Sequence, residues 1–153
     1  MRRTLTAVAA LAATAAMLAA VAAAGPVATK QRVAIEHKGA SFVLTPLTPG
    51  AVKADAGPIS FCCWTERHTM RDGQDAVIDN PLMTLNGKRG TLVARNEIGY
   101  VDVTNGWAVF TGTWKVIRGT GQYAGLAGGG RGAGVARPNG NTTARFEGFL
   151  GAK

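Results

Sequence analysis

The stretch Trp114–Gly134, WKVIRGTGQYAGLAGGGRGAG, decides how the rest of the chain is read. It opens as a hydrophobic strand and runs into Gly119-Thr120-Gly121-Gln122-Tyr123-Ala124, which meets the G-x-G-x-x-[GA] spacing of a dinucleotide loop. In such a loop, glycine lets backbone amides close on a pyrophosphate at the N-terminus of a helix. No helix can follow here. Gly125, Gly128, Gly129, Gly130, Gly132 and Gly134 come next, each less favourable than alanine in a helix by about 1 kcal/mol. The acidic ribose ligand expected about 20 residues further on is missing too, the next carboxylate being Glu147. The glycines therefore serve a β backbone, where they mark bulges, sharp bends and close approach of strands.

The flanking sequence agrees. After Pro26 no run carries apolar residues at helical spacing over three turns without glycine or proline breaking it. Alternating, β-branched runs recur instead: Gln31–Glu36, Ser41–Leu47, Ile59–Met70, Ala76–Ile78, Leu82–Leu85, Gly90–Asn96 continuing through Ile98–Val103, Trp107–Arg118, Val135–Arg137 and Thr143–Leu150. Lys38-Gly39, Asp72-Gly73, Asn86-Gly87, Asn105-Gly106 and Asn139-Gly140 stand between them as turn signals. About eight or nine strands so spaced predict an antiparallel barrel or sandwich. The glycine run favours the barrel, because tilted and coiled strands need bends to close and closure removes exposed edges.

The 153-residue chain begins Met1-Arg2-Arg3, continues in an alanine- and leucine-rich run from Leu5 to Val21, and reaches Ala22-Ala23-Ala24 before Gly25-Pro26. A basic region, an apolar region and a small-residue cleavage site make up a signal peptide. Residues 1–24 are thus expected to be removed and the protein to be secreted or extracytoplasmic, by the Sec or the twin-arginine route. A retained membrane anchor is disfavoured, since the run is alanine-heavy and only moderately apolar. The remainder suits a single core, read as an N-terminal segment and first strand over 25–40 and a β-barrel domain over 41–153.

The chain carries 17 basic residues against 9 acidic, and the signal peptide would remove only Arg2 and Arg3. A basic exported protein can adhere to an anionic cell-surface polymer, though basic residues scattered singly also serve solubility alone. Nucleic acid is not expected as a partner, since Arg131 stands in one unrepeated Gly-Arg-Gly element. Cys62 and Cys63 are adjacent. Their Cα atoms lie about 3.8 Å apart, short of the roughly 4.4–6.8 Å a disulfide prefers, so they are expected as thiols packed like small hydrophobes. Cys62, Cys63 and His68 lack a fourth ligand and zinc-site spacing, and no metal is expected.

Strand followed by GTGQYAGLAGGG resembles the glycine-rich hairpin of the allene oxide cyclase and dirigent superfamily, best matched over Gly106–Gly134 and more loosely elsewhere. It also resembles exported bacterial barrels of that type without an assigned activity. The resemblance implies a calycin-like closed eight-stranded antiparallel barrel that uses no cofactor, holds an apolar small molecule in its lumen and often forms a trimer. Cyclase- or dirigent-like action would then come from confining a reactive species in one geometry. No catalytic residue carries over, because no position outside the hairpin matches a family active-site motif.

Candidate ligand contacts come from the strands. Period-two alternation along Ile59–Met70 puts Cys62, Trp64, Glu66 and His68 on one face and Ile59, Phe61, Cys63, Thr65 and Arg67 on the other. The second face starts more apolar, which favours it as core and leaves Glu66 and His68 solvated. The rival assignment gathers Trp64, Glu66 and His68 in the lumen for stacking and acid/base work. Arg95 and Glu97 share a face, either as an exposed cross-strand pair or as a lumenal ion pair. Trp114 shares one with Phe110, Gly112 and Val116 and reads as core bordering the lumen. Tyr123, inside the glycine motif, reads as structural.

Overall fold

The computed structural model describes residues 30–71 and 73–153. The expected signal peptide, residues 1–24, lies outside the described residues. The elements are β1 (Gln31–Lys38), β2 (Ser41–Pro46), β3 (Asp55–Cys62), β4 (Glu66–Arg71), β5 (Gln74–Asp79), β6 (Leu82–Gly87), β7 (Gly90–Asp102), β8 (Ala108–Gly119), a 3-10 turn at Gly121–Tyr123, β9 (Leu126–Ala136) and β10 (Thr142–Ala152). Eight strands close in the order β1-β2-β3-β6-β7-β8-β9-β10, with β10 paired back to β1 and every pairing antiparallel. This is the closed eight-stranded barrel expected from the sequence. β1 is one of its staves, so the barrel begins before residue 41.

β4 and β5 form a hairpin outside the ring. β6 pairs with Gly90–Arg95 of β7, whereas β5 pairs with Ile98–Tyr100 further along the same strand. The hairpin therefore continues β3 and β6 past one rim. Ile59–Met70 is not one strand, which corrects the expected alternation. Phe61 pairs with Met83 and Glu66 with Asp79, so this chain carries one residue more than its partner between the two pairs. The extra residue is a bulge at Cys63–Thr65, with Cys63 at φ +58°. A one-residue insertion exchanges the faces of all that follows. Cys62 and Cys63 sit at this break as exposed free thiols, not as the packed small hydrophobes expected.

Inside, Val33, Ile35, Phe42, Leu44, Ile59, Met83, Leu85, Leu92, Trp114, Phe146 and Leu150 form one buried core. The glycine run is strand, as glycines serving a β backbone were expected to be, and β9 (Leu126–Ala136) extends upstream of the expected alternating run Val135–Arg137. Its bare inner face is where large side chains lie. A Cβ at Gly132 would fall inside the Phe146 ring, and one at Gly134 would strike the Phe110 ring. Trp114 reaches across the same stripe from β8 and points its Nε1–H at the Glu147 carbonyl oxygen on β10, 3.4 Å away.

One end of the barrel is shut by the motif that opened the sequence. Gly121 has φ +56°, and a Cβ there would overlap the Arg89 carbonyl oxygen of the β6–β7 turn. That contact lets the 3-10 turn press down and carry Tyr123, wholly buried, into the end of the lumen. The Tyr123 hydroxyl donates to Asp55 Oδ2 at 3.0 Å, while the amides of Lys88 (2.9 Å) and Arg89 (3.3 Å) donate to the same carboxylate. Burial, more than the Asp55 contact, pushes the Tyr123 hydroxyl far up, so it stays a donor. Gln31 folds the β2–β3 loop over the same end through Thr48 O, Val52 O and Val52 N.

Three substitutions test this account in urea unfolding. Tyr123→Phe is expected to cost about 1.5–3 kcal/mol, the range for a hydrogen bond to a charged group. Gly132→Val, which drives a side chain into the Phe146 ring, is expected to cost about 1–3 kcal/mol. Thr113→Val, on the outer face of β8, should stay within about 0.5 kcal/mol.

Candidate functional site

The opposite end stays open. β1, β3 and β7 finish there and β8 and β10 begin there. Between them lies a cavity of about 190 Å³ lined by His37, Phe61, Trp64, Tyr100, Phe110 and Phe146, among others. Alternation brings His37 inward after Val33 and Ile35 on β1, and Phe61 after Ile59 on β3. Their rings meet at 5.3 Å between centroids, and those of Tyr100 and Phe110 at 5.2 Å, both tilted, as aromatic quadrupoles prefer.

His37 is a polar member of this wall, beside Thr142 and Tyr100, and is only 3% exposed. Its Nε2 lies 2.6 Å from the Gly39 carbonyl oxygen and 3.2 Å from Thr142 Oγ1. A carbonyl oxygen only accepts, so Nε2 carries the hydrogen and Nδ1 is left with a lone pair. No partner reaches that Nδ1. Burial lowers the His37 pKa, outweighing the Gly39 hydrogen bond, and the ring is neutral at pH 7. Asn96 is a second buried polar side chain on the lumen face, with both amide atoms unpartnered. It lies deeper, paired in register with Trp114.

The hairpin adds a polar shoulder. Glu66 pairs with Asp79 and Asp79 with Ile98, while His68 pairs with Val77 and Val77 with Tyr100. Residues paired across a sheet share a face. Glu66, His68 and Asp79 therefore stand on the continuation of the lumenal face beyond the rim. His68 Nε2 is 2.9 Å from Glu66 Oε1, and both side chains remain more than half exposed. Burial first, and then the Glu66 charge, raise the Asp79 pKa. Asp79 Oδ1 is buried without a partner.

The residues singled out from sequence are thus divided. Trp64, re-aimed by the bulge, lines the cavity while remaining 59% exposed. Glu66 and His68 reach the lumenal side, but outside the rim. Arg95 is on the outer face and donates from Nη1 to the Asn80 carbonyl (2.9 Å) and the Cys63 carbonyl (3.4 Å), clamping both interruptions of the long hairpin. Trp114 is core, 2% exposed, and is not part of the cavity wall. Sequence reading places Phe61 on the inward face with Ile59, as the structure does, but does not single out His37, Tyr100 or Asp79. For His37 a signal existed, since it continues the Val33, Ile35 face. Among the described residues no cluster of His, Cys, Asp or Glu could hold a metal ion.

Comparison with protein-family models, with curated proteins and with solved structures finds no match to this chain.

The lowered His37 pKa fixes the sign of a pH effect. Below about 6.5, the ordinary histidine value, the unfolded chain takes up a proton that the folded chain resists. Native stability should therefore fall as pH drops from about 6.5 toward the folded-state pKa. Urea midpoints measured at pH 7.5 and 5.5 should show a smaller drop in His37→Gln than in the unaltered protein.

Proposed function

We propose that this protein is an exported barrel that binds a small apolar molecule at its open mouth. The observation that carries the reading is the aromatic-walled cavity. A mostly apolar and aromatic wall with a few polar groups, here His37, Tyr100 and Thr142, is the usual composition of small-molecule pockets. Its volume bounds the ligand. An apolar cavity of about 150 Å³ holds benzene, whereas drug-sized ligands occupy roughly 300–1,000 Å³. About 190 Å³ suits one substituted ring, and a long acyl chain would have to leave most of its length outside.

Cofactor-free chemistry of the cyclase or dirigent kind is the catalytic extension of this reading. Confinement would orient the bound molecule, and Glu66, His68 and Asp79 on the shoulder would handle protons. The raised Asp79 pKa suits such exchange. Assembly into a trimer, which the sequence resemblance implies, belongs to the same proposal.

A second reading draws on the closed end. The turns and chain segments there carry the exposed Lys30, Lys53, Lys88, Arg89, Arg118 and Lys153, and among the described residues beside them the one side-chain carboxylate is the sequestered Asp55. Such an end can adhere to an anionic cell-surface polymer. The interior behind it is filled by side chains, as a purely adhesive barrel would be.

Toluene titrated into the protein should bind at one site and raise the thermal midpoint. Trp64→Ala, at an exposed position, should leave urea stability within about 0.5 kcal/mol yet weaken toluene retention several-fold. Uptake of no monocyclic probe would sink the first reading. For the second, replacing Lys53, Lys88 and Arg118 together by Glu should abolish salt-sensitive retention on immobilised polyphosphate without altering toluene uptake.

A further inference from the structure

We propose that the mouth cavity selects a small ring bearing a neutral hydrogen-bond donor, a hydroxyl or N–H, and that His37 Nδ1 is the acceptor that recognises it. The inference rests on the small-molecule reading above and adds the chemical class of the ligand.

His37 is almost entirely buried and its ring forms part of the cavity wall. The Gly39 carbonyl fixes the proton on Nε2, which leaves Nδ1 an acceptor with nothing to accept. Buried acceptors in native proteins are nearly always met, and one that is not calls for an explanation. Its neighbours on the wall do not meet it. The Phe61 ring, tilted against the imidazole, has no donor, and the Thr142 hydroxyl lies on the Nε2 side of the ring, 3.2 Å from that nitrogen. A water could fill the role only with further polar partners around it, and apart from the Thr142 and Tyr100 hydroxyls the wall is apolar or aromatic carbon. A ligand can bring the donor and cover the apolar walls at once.

The same inventory rejects charged ligands. A carboxylate would bring a lone pair to a lone pair, and it would pass Glu66 and Asp79 on the shoulder. An ammonium would meet aromatic faces, but the carboxylates Glu66 and Asp79 stand outside the cavity and its several N–H groups would find few acceptors in place of water. A neutral O–H or N–H on a ring satisfies both the acceptor and the volume.

Phenol and toluene are nearly the same size and differ in the donor, so they separate this proposal from the reading beneath it. Affinities of both would be measured for the full chain and for His37→Phe, which keeps an aromatic ring in place. The expected result is that the preference for phenol relative to toluene falls about three- to tenfold in His37→Phe, the worth of one hydrogen bond. In the unaltered protein, the ¹⁵N resonance of His37 Nδ1 should move with phenol and stay in place with toluene. An unchanged preference overturns the proposal while toluene binding still supports the pocket. So does an unmoved Nδ1 resonance with phenol bound, and that readout decides the matter if His37→Phe does not fold. Binding of neither probe to the unaltered protein overturns both.

Discussion

Much of this architecture depends on what β9 lacks. A barrel of eight strands has an interior just wide enough for side chains, and three of the largest here, Phe110, Trp114 and Phe146, are placed beside one another on β8 and β10. They fit because the strand between them presents glycine inward at Gly130, Gly132 and Gly134. Side chains at those positions would meet ring atoms or the neighbouring backbone. The aromatic filling sets the depth of the open cavity, since Phe110 and Phe146 belong to its wall.

The two ends of the barrel handle polarity in opposite ways. At the closed end, Asp55 accepts from turn amides and from Tyr123, and the Gln31 amide is matched on both its nitrogen and its oxygen. At the open end, His37 Nδ1 and Asp79 Oδ1 are left unmet. An unsatisfied buried group costs about 1–3 kcal/mol. Satisfied polar groups hold a structure together, and unsatisfied ones around a cavity are where function is to be sought. Asn96 resists this division. Its amide is buried and unpartnered, away from the cavity wall, and nothing in the structure explains it.

The barrel was legible in the sequence because its signals are local. Asn105-Gly106 and Gly140 mark turns through their own backbone preferences, and alternation along β1 and β8 reports a buried face, whereas the Asn86-Gly87 signal falls two residues early, since that pair ends β6 and the turn is Lys88-Arg89. The rest depends on partners distant in sequence. No residue at Cys63–Thr65 announces a bulge, which exists because β3–β4 must keep pairing with a β5–β6 strand one residue shorter. The faces of Glu66 and His68 could not be assigned without that register. The glycines of β9 read as strand glycines pressed against a neighbour, but glycine has weak strand propensity, and the side chains that need the space, Phe110 and Phe146, are known only from the register. His37 could be seen to face inward, but its unmet nitrogen is visible only once Gly39 and Thr142 are in place.

The pairing that seals the barrel joins its first described strand to its last, with Gln31 opposite Leu150 and Lys38 opposite Thr143. Such distant partners make closure a slow step in folding. Until β10 exists, β1 and β9 each expose an unsatisfied edge and the apolar interior lies open, conditions that favour aggregation. A nascent chain cannot finish this fold while its C-terminal strand is still being made. A chain that reaches its destination across a membrane in extended form would meet no such delay before arrival, because its fold can complete only after the last strand has come through.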